Sequence, residues 1–329
     1  MIELHMHLDG SLGTHEIKEL AEISGVTLDC RNEQEFKSRL TVSENCRNLA
    51  EYLQKFTLPI SVLQTAESIK KAVEMLLLRL KSEGIIYAEI RFAPQLHLQK
   101  GLTQEEVIKA AISGLTVAGG AKAQLILCCM RGADYKLNFE SAKLAAKFLN
   151  SGVCALDLAG NEAAFKTEDY ITLFEFAKSG NIPLTVHAGE AAGAKSVACA
   201  LQNGAARIGH GVSAAENPQV LELMQKLGTT VECCFTSNLQ TCAVDNPKHH
   251  PIKDFLNAHV NACVCTDNTS VSGTTLKNEY RLVKSHLQLN EAKLLSLCLN
   301  AAEGAFLPQN EKQKLKKYVR NEFFSWFNK

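Results

Sequence analysis

The 329-residue chain lacks the features that mark several large classes of protein. Lysine plus arginine and aspartate plus glutamate are equal at 35 each, so no excess charge of one sign attracts nucleic acid or an anionic membrane surface. No apolar run approaches the roughly 20 residues that a membrane helix requires. We therefore expect neither nucleic acid nor a membrane as a partner.

Metal-binding and disulfide patterns of cysteine are also missing. None of the 12 cysteines forms a C-x-x-C pair, and most lie in strand-like apolar runs. This spacing argues against a disulfide framework and against a thiolate zinc site, and indicates reduced, mostly buried thiols. The first predicted strand starts almost at the N-terminus and leaves no room for a signal peptide. We therefore expect a cytoplasmic protein.

The first ten residues contain the most informative segment. Residues 3–10, ELHMHLDG, have the apolar, β-compatible pattern of a short buried strand that ends at Gly10. Side chains two apart on a strand point to the same side, so His5 and His7 emerge together. Two such imidazoles can bind a divalent metal. The alternative is a pair of core or surface histidines, which is the commoner meaning of an isolated H-x-H.

A helical insertion follows this strand. We predict one helix capped by Thr14 and a second that contains Leu49 and Phe56 and is ended by Pro59. A longer helix with the apolar face of Ile69 to Leu80 should stop at Gly84. Because the insertion follows the carboxyl end of a strand, it could form a lid. Plain helix packing is the alternative, which periodicity does not exclude.

The rest of the chain alternates between strand-like and helix-like segments. Counting the strand at His5, this gives eight strands, the later ones at 86–92, 124–130, 154–158, 183–187, 207–210, 230–234 and 262–266. Such alternation predicts a (β/α)8 TIM barrel with a helical insertion after the first strand, in a single domain over residues 1–329. A doubly wound open sheet is the competing fold, but no Gly-rich phosphate loop follows an early strand.

Polar residues gather at the predicted carboxyl ends of the strands, where barrel enzymes carry their chemistry. Alone, each has an ordinary explanation: His187 suits a buried, hydrogen-bonded histidine, and Asp267 suits a helix cap. Their joint position at one rim is harder to explain by packing. The set is His5, His7, Gly160, His187, Glu190, His210, Asp267 and Asn268.

The motifs at this rim resemble those of the adenosine deaminase family. The resemblance is carried, in order and with suitable spacing from Glu3 to about Phe306, by HxHLDGS from His5, EIRF from Glu89, LCCMR from Leu127, DLAG from Asp157, HAGE from His187, GHG from Gly209 and TDN from Thr266. Any one motif is weak, whereas the ordered set is specific.

The resemblance implies one zinc ion per chain with His5, His7, His187 and Asp267 as ligands. Nitrogen and carboxylate ligands suit Zn²⁺, which lowers the pKa of a bound water. By the same resemblance Glu190 is the acid that protonates purine nitrogen-1, and His210 positions the attacking water and takes its proton. The implied reaction converts adenosine, and 2′-deoxyadenosine, to inosine and ammonia in purine salvage.

The resemblance also implies how a purine nucleoside is bound. The backbone N–H of Gly160 contacts nitrogen-3, Asp9 lies near the ribose, and Leu53 and Phe56 belong with Tyr52 to an apolar lid. Asn268 departs from the family pattern, because most members have a second aspartate there that contacts nitrogen-7.

Two alternatives remain. A sister deaminase would act on another 6-aminopurine, such as adenine or aminodeoxyfutalosine. A barrel without catalysis would serve as a binding protein, although the presence of Glu190, His210 and all four metal ligands argues against it.

Overall fold

The structure, a computed structural model, describes residues 1–43 and 45–328. Within these residues eight strands form one parallel sheet in sequence order. This arrangement confirms the predicted (β/α)8 barrel. The strands are Ile2–His7 (β1), Tyr87–Phe92 (β2), Lys122–Met130 (β3), Val153–Ala159 (β4), Leu184–Ala188 (β5), Arg207–His210 (β6), Thr230–Cys233 (β7) and Asn261–Val264 (β8).

The sheet closes on itself just beyond the end of β8. Met6 in β1 pairs with Asp267 in a parallel bridge. The backbone N–H of His7 donates to the Asp267 carbonyl (2.8 Å), and the N–H of Asp267 donates to the His5 carbonyl (2.9 Å). β8 ends earlier than the predicted residue 266, yet this closure still fixes Asp267 between the two histidines of β1.

The strands are buried on both faces, because helices cover the outside and side chains fill the inside. All residues of β2, β4, β5, β6 and β7 are buried. The barrel interior holds charged residues as well as apolar ones. Arg91 in β2 contacts Asp157 in β4 (3.0 Å) and Glu232 in β7 (2.8 Å), so these buried charges are paired.

Helices alternate with the strands and carry apolar faces that pack against them; Leu76, Leu77 and Leu80, for example, are fully buried. None of the helices in the described part of the chain combines the length and the apolarity needed to cross a bilayer. The helices are Thr14–Ser24 (α1), Glu33–Leu40 (α2), Leu49–Leu53 (α3), Thr57–Val62 (α4), Ala66–Ser82 (α5), Gln104–Gly114 (α6), Tyr135–Phe148 (α7), Ile171–Ser179 (α8), Ala194–Gln202 (α9), Pro218–Leu227 (α10), Phe235–Gln240 (α11), Ile252–Asn257 (α12), Leu276–Leu287 (α13), Glu291–Gly304 (α14) and Gln309–Asn328 (α15).

The insertion between β1 and β2 contains α1 to α5, and two of its predicted boundaries are wrong. Gly13, not Thr14, is the N-cap of α1, and the Glu16 carboxylate accepts a hydrogen bond from the Gly13 N–H. Pro59 does not end a helix but lies in the first turn of α4. A first-turn residue needs no intrahelical partner for its N–H, so proline is tolerated there.

Candidate active site

Four potential metal ligands converge at the carboxyl end of the barrel. His5 and His7 lie on β1, His187 lies on β5, and Asp267 lies at the closure. One ligand atom from each lies within 4.8 Å of the others. The Nε2 atoms of His7 and His187 are 3.2 Å apart, and Asp267 Oδ1 is 3.3 Å from His5 Nε2 and 3.4 Å from His7 Nε2. The structure thus brings together all four predicted ligands in a cluster that could bind a metal.

Buried partners orient three of these ligands. His5 Nδ1 lies 2.7 Å from Glu232 Oε2, and His187 Nδ1 lies 3.0 Å from Asp157 Oδ2. These carboxylates direct the Nε2 atoms of the two histidines toward the centre of the cluster, as metal-binding histidines require. The Ser237 hydroxyl donates a hydrogen bond to Asp267 Oδ2 (2.6 Å), which leaves Oδ1 facing the cluster.

The protonation states of His7, His187 and Asp267 suit a cation. Burial lowers the pKa of His7 well below its usual value, and it also lowers that of His187, so both favour the neutral form that binds metals. Burial opposes ionisation of Asp267, but the hydrogen bond and charge of His5 hold the pKa of that carboxyl well below its usual range. Burial disfavours the charged form of His5, but its hydrogen bonds to Asp267 and Glu232 outweigh this effect and raise its pKa, so His5 gives up a proton when it binds a metal. His5 Nε2 is buried, and the acceptor beside it is the potential metal ligand Asp267 Oδ1 at 3.3 Å. This donor set fits one divalent metal ion.

Glu190 and His210 face each other beside the four-ligand cluster. Glu190 Oε2 lies 3.6 Å from His210 Nε2, and Thr241 donates to Glu190 Oε1 (3.0 Å). Burial, followed by the negative charges of Asp267 and Glu162, raises the pKa of Glu190 to about 8. Glu190 is therefore largely protonated at neutral pH and can donate a proton.

The backbone around His210 adopts an unusual conformation in a crowded part of the site. His210 ends β6 with φ of 65°, a left-handed conformation that non-glycine residues seldom adopt. A Cβ on the preceding Gly209 would lie 2.9 Å from the His5 ring, so glycine at this position leaves room for that ring. The Asn238 amide nitrogen lies 3.0 Å from His210 Nδ1, which leaves Nε2 directed at Glu190.

A cavity adjoins the four-ligand cluster. The predicted substrate-binding residues Asp9, Leu53, Phe56, Gly160 and Asn268 all line it. His7, His187, Glu190, His210 and Asp267 line the same cavity. Ten of the eleven predicted site residues therefore line it, and the remaining one, His5, belongs to the four-ligand cluster.

Two buried acceptors in the cavity have no partner among the residues that the structure describes: Asp9 Oδ1 and Asn268 Oδ1. Burial raises the pKa of Asp9 to about 6. A ligand group that donates a hydrogen bond would satisfy Asp9 Oδ1, whereas an anionic group would not.

Tyr52 does more than provide an apolar surface. Its side chain is buried, and its hydroxyl lies 2.7 Å from Ser272 Oγ and accepts a hydrogen bond from Asn268 Nδ2 (3.0 Å). Helix α3 of the insertion is thereby linked to Asn268. The predicted lid residues do line the cavity, but the role of the Tyr52 hydroxyl was not predicted.

The sequence analysis also missed the residues that support the site. Glu232 lies in the fully buried β7, and a charged residue in such a strand signals a buried partner. Glu162 follows β4 and is buried against the segment that contains Glu190. No local pattern identifies that contact, because its partners are about thirty residues away.

Comparisons with known proteins agree with this geometry. The sequence model of a family described as adenosine deaminase matches residues 1–322. An adenosine deaminase of Haemophilus ducreyi is 42% identical, with 98% of this chain and 96% of that protein covered. One of Clostridium botulinum is 37% identical, with 97% of each covered. A crystal structure of an adenine deaminase from Arthrobacter aurescens has a TM-score of 0.88 over 98% of both chains, and at 23% identity this likeness concerns the fold alone. The chain therefore belongs to the adenosine deaminase family.

Proposed function

We propose that the chain is a zinc-dependent adenosine deaminase that hydrolyses adenosine and 2′-deoxyadenosine to inosine or 2′-deoxyinosine and ammonia. The observation that carries this proposal is the four-ligand cluster with the Glu190–His210 pair beside it in one cavity. Family membership supports the same activity. We place the enzyme in purine salvage in the cytoplasm, in keeping with its 12 free cysteines.

His5, His7, His187 and Asp267 would hold one zinc ion. Neutral imidazoles and a carboxylate are a ligand set that zinc prefers. When bound, the metal would supply Lewis-acid activation of water at neutral pH.

Glu190 would be the general acid of the reaction. A protonated Glu190 would donate to purine nitrogen-1, which makes carbon-6 more electrophilic. Water adds to carbon-6 as its proton passes to His210. That proton would then go to the amino nitrogen, the bond from carbon-6 to this nitrogen breaks, and ammonia leaves, while Glu190 recovers a proton from the new hydroxyl to leave the carbonyl of the product. The raised pKa of about 8 supports this role, because the acid must carry a proton at the working pH.

His210 would orient the attacking water and accept its proton at Nε2. In the neutral form that accepts at Nε2, Nδ1 carries the hydrogen and would donate it to the Asn238 amide turned to present its oxygen. The same hydrogen bond holds when the ring is protonated, because Nδ1 still carries its hydrogen. His210 can therefore take up a proton without losing its orientation.

The cavity residues would select a nucleoside. Asp9 would accept a hydrogen bond from the ribose 5′-hydroxyl, and the Gly160 N–H would contact nitrogen-3. Gly160 has φ of 103°, a conformation that favours glycine and lets the backbone approach a ligand. Leu53 and Phe56 would shield the reacting atoms from bulk water.

A substrate comparison tests this proposal. The protein loaded with zinc is offered adenosine, 2′-deoxyadenosine, adenine, AMP and aminodeoxyfutalosine separately, and loss of the 6-amino group is followed by ultraviolet absorbance. We expect the highest kcat/KM for the two nucleosides. Preference for adenine or aminodeoxyfutalosine would identify a sister deaminase, and no turnover of any compound would identify a non-catalytic binding protein.

A further inference from the structure

The carboxylate of Glu162 binds the backbone of the segment that contains Glu190. Glu162 Oε1 accepts from the N–H of residue 189 (2.7 Å), and Oε2 accepts from the N–H groups of residues 190, 191 and 192 (3.0, 2.8 and 3.1 Å). Ser196 in α9 adds a fifth donor through its hydroxyl. Glu162 itself is only 3% exposed. One buried carboxylate therefore accepts four consecutive backbone N–H groups.

These hydrogen bonds decide the shape of the segment 189–192, which joins β5 to α9. Its N–H groups lie beyond the last pairing of β5 and before the first turn of α9. Hydrogen bonds to an ionised carboxylate are about twice as strong as those between neutral groups. Loss of the carboxylate would leave the buried Gly189 N–H and Ser196 hydroxyl, and three partly buried N–H groups, without their acceptor, which favours rearrangement of this short loop.

The same contact joins the two sides of the cavity. Glu162 comes two residues after Gly160, whose backbone lines the cavity, and its partners include the N–H of Glu190. The Glu190 side chain extends from this segment to His210 and Thr241. A shift of the segment would therefore move the acid relative to a purine bound at Gly160.

We propose that Glu162 is a positioning residue for the deamination: it fixes the segment 189–192 so that the Glu190 carboxyl stays aligned with the substrate. The inference rests on the proposed function and adds a residue that does not touch the substrate. Positioning of this kind affects the chemical step more than substrate binding, because misplacement of a reacting group by a fraction of an ångström lowers the rate.

The test compares Glu162→Gln with Glu168→Gln, a matched control in the same connection between β4 and α8 whose side chain is exposed. The amide nitrogen of glutamine donates and cannot accept, so Glu162→Gln replaces one of the two acceptor oxygens by a donor that faces the N–H groups of the segment. We expect kcat for adenosine to fall at least about tenfold, with KM changed less than about threefold and with zinc content unchanged. Glu162→Asp keeps the charge on a shorter side chain and should have an intermediate kcat. Glu168→Gln should match the parent.

Amide hydrogen exchange gives a second measurement that does not depend on turnover. The amides of residues 189–192 should exchange at least about tenfold faster in Glu162→Gln than in the parent, while those of β5 stay protected. Unchanged exchange in this segment, or a kcat within twofold of the parent despite faster exchange, would overturn the inference. If Glu162→Gln fails to fold, the same comparison of Glu162→Asp with the parent decides. A parent without turnover would refute the proposed function, and the exchange data would still report whether Glu162 fixes the segment.

Discussion

Asn268 offers the sharpest prediction, because its amide has one measurable partner in the protein and one proposed partner in the substrate. Asn268 is 2% exposed and donates one N–H to the Tyr52 hydroxyl at 3.0 Å. The amide nitrogen carries a second hydrogen, which can serve nitrogen-7 of the purine at any ordinary pH. We therefore expect the asparagine to replace the usual aspartate without loss of function, and Asn268→Asp to remain active.

The magnitude follows from what Asn268→Leu leaves behind. Tyr52 keeps its contact with Ser272 at 2.7 Å, so the cost within the free protein should be small. In the complex, nitrogen-7 becomes a buried acceptor without a donor, which costs about 2 kcal/mol. This corresponds to a loss of about thirtyfold in kcat/KM for adenosine. Tyr52→Phe keeps the Asn268 amide as a donor but removes the hydroxyl that orients it. We therefore expect kcat/KM for adenosine to fall about fivefold, which corresponds to about 1 kcal/mol.

The assay is a cycle of two proteins and two substrates, read as kcat/KM. In 7-deazaadenosine a carbon replaces nitrogen-7. With this substrate the parent should lose about 2 kcal/mol of transition-state stabilisation, the same amount that Asn268→Leu loses with adenosine. Asn268→Leu should show almost no further loss with the analogue. If Asn268→Leu matched the parent on adenosine, or lost equally on both substrates, Asn268 would have no role at nitrogen-7.

Three further predictions concern the metal, the acid and the ribose site. Asp267→Ala and His187→Ala should lose zinc and turnover, whereas Glu190→Gln should keep its zinc and lose at least about a hundredfold in kcat. Elemental analysis of the purified variants measures the zinc. An Asp267→Ala protein that kept its metal and its activity would refute the ligand assignment. Because Glu190 must be protonated to act as an acid and its pKa is raised to about 8, kcat/KM should fall as the pH rises through about 8; a pH profile that keeps rising there would contradict this role. AMP should react on the order of a hundredfold less well than adenosine, because its phosphate would face the buried Asp9 carboxylate; similar specificity constants would exclude this role of Asp9.

The barrel and the location of its site could be predicted from sequence because both depend on simple periodicity. Alternating strands and helices imply parallel strands, and the carboxyl ends of parallel strands lie at one rim. His5 and His7 share a face because strand side chains alternate. His187 lies near the end of β5 and Asp267 lies three residues beyond β8, and both reach the same cluster; the resemblance to the family, not periodicity, singled them out as ligands.

The parts that could not be predicted depend on contacts between distant residues or on weak local signals. Glu33–Leu40 was missed as a helix because its charged sequence buries only Phe36 and Leu40. The hydroxyl of Tyr52 meets Asn268 across 216 positions of sequence, and periodicity shows only that this face of α3 is apolar. Glu162 has no local signature either, because a buried carboxylate that accepts backbone N–H groups looks in sequence like any acidic loop residue.

The central claim is that one zinc ion bound at His5, His7, His187 and Asp267 makes this chain an adenosine deaminase. The most direct measurement is to remove the metal with a chelator, add zinc in small steps, and follow conversion of adenosine to inosine at each step. We predict that the metal-free protein is inactive and that activity rises in proportion to added zinc until one ion per chain is bound. Full activity without metal, or activity that never appears once the four-ligand site is filled, would contradict the claim.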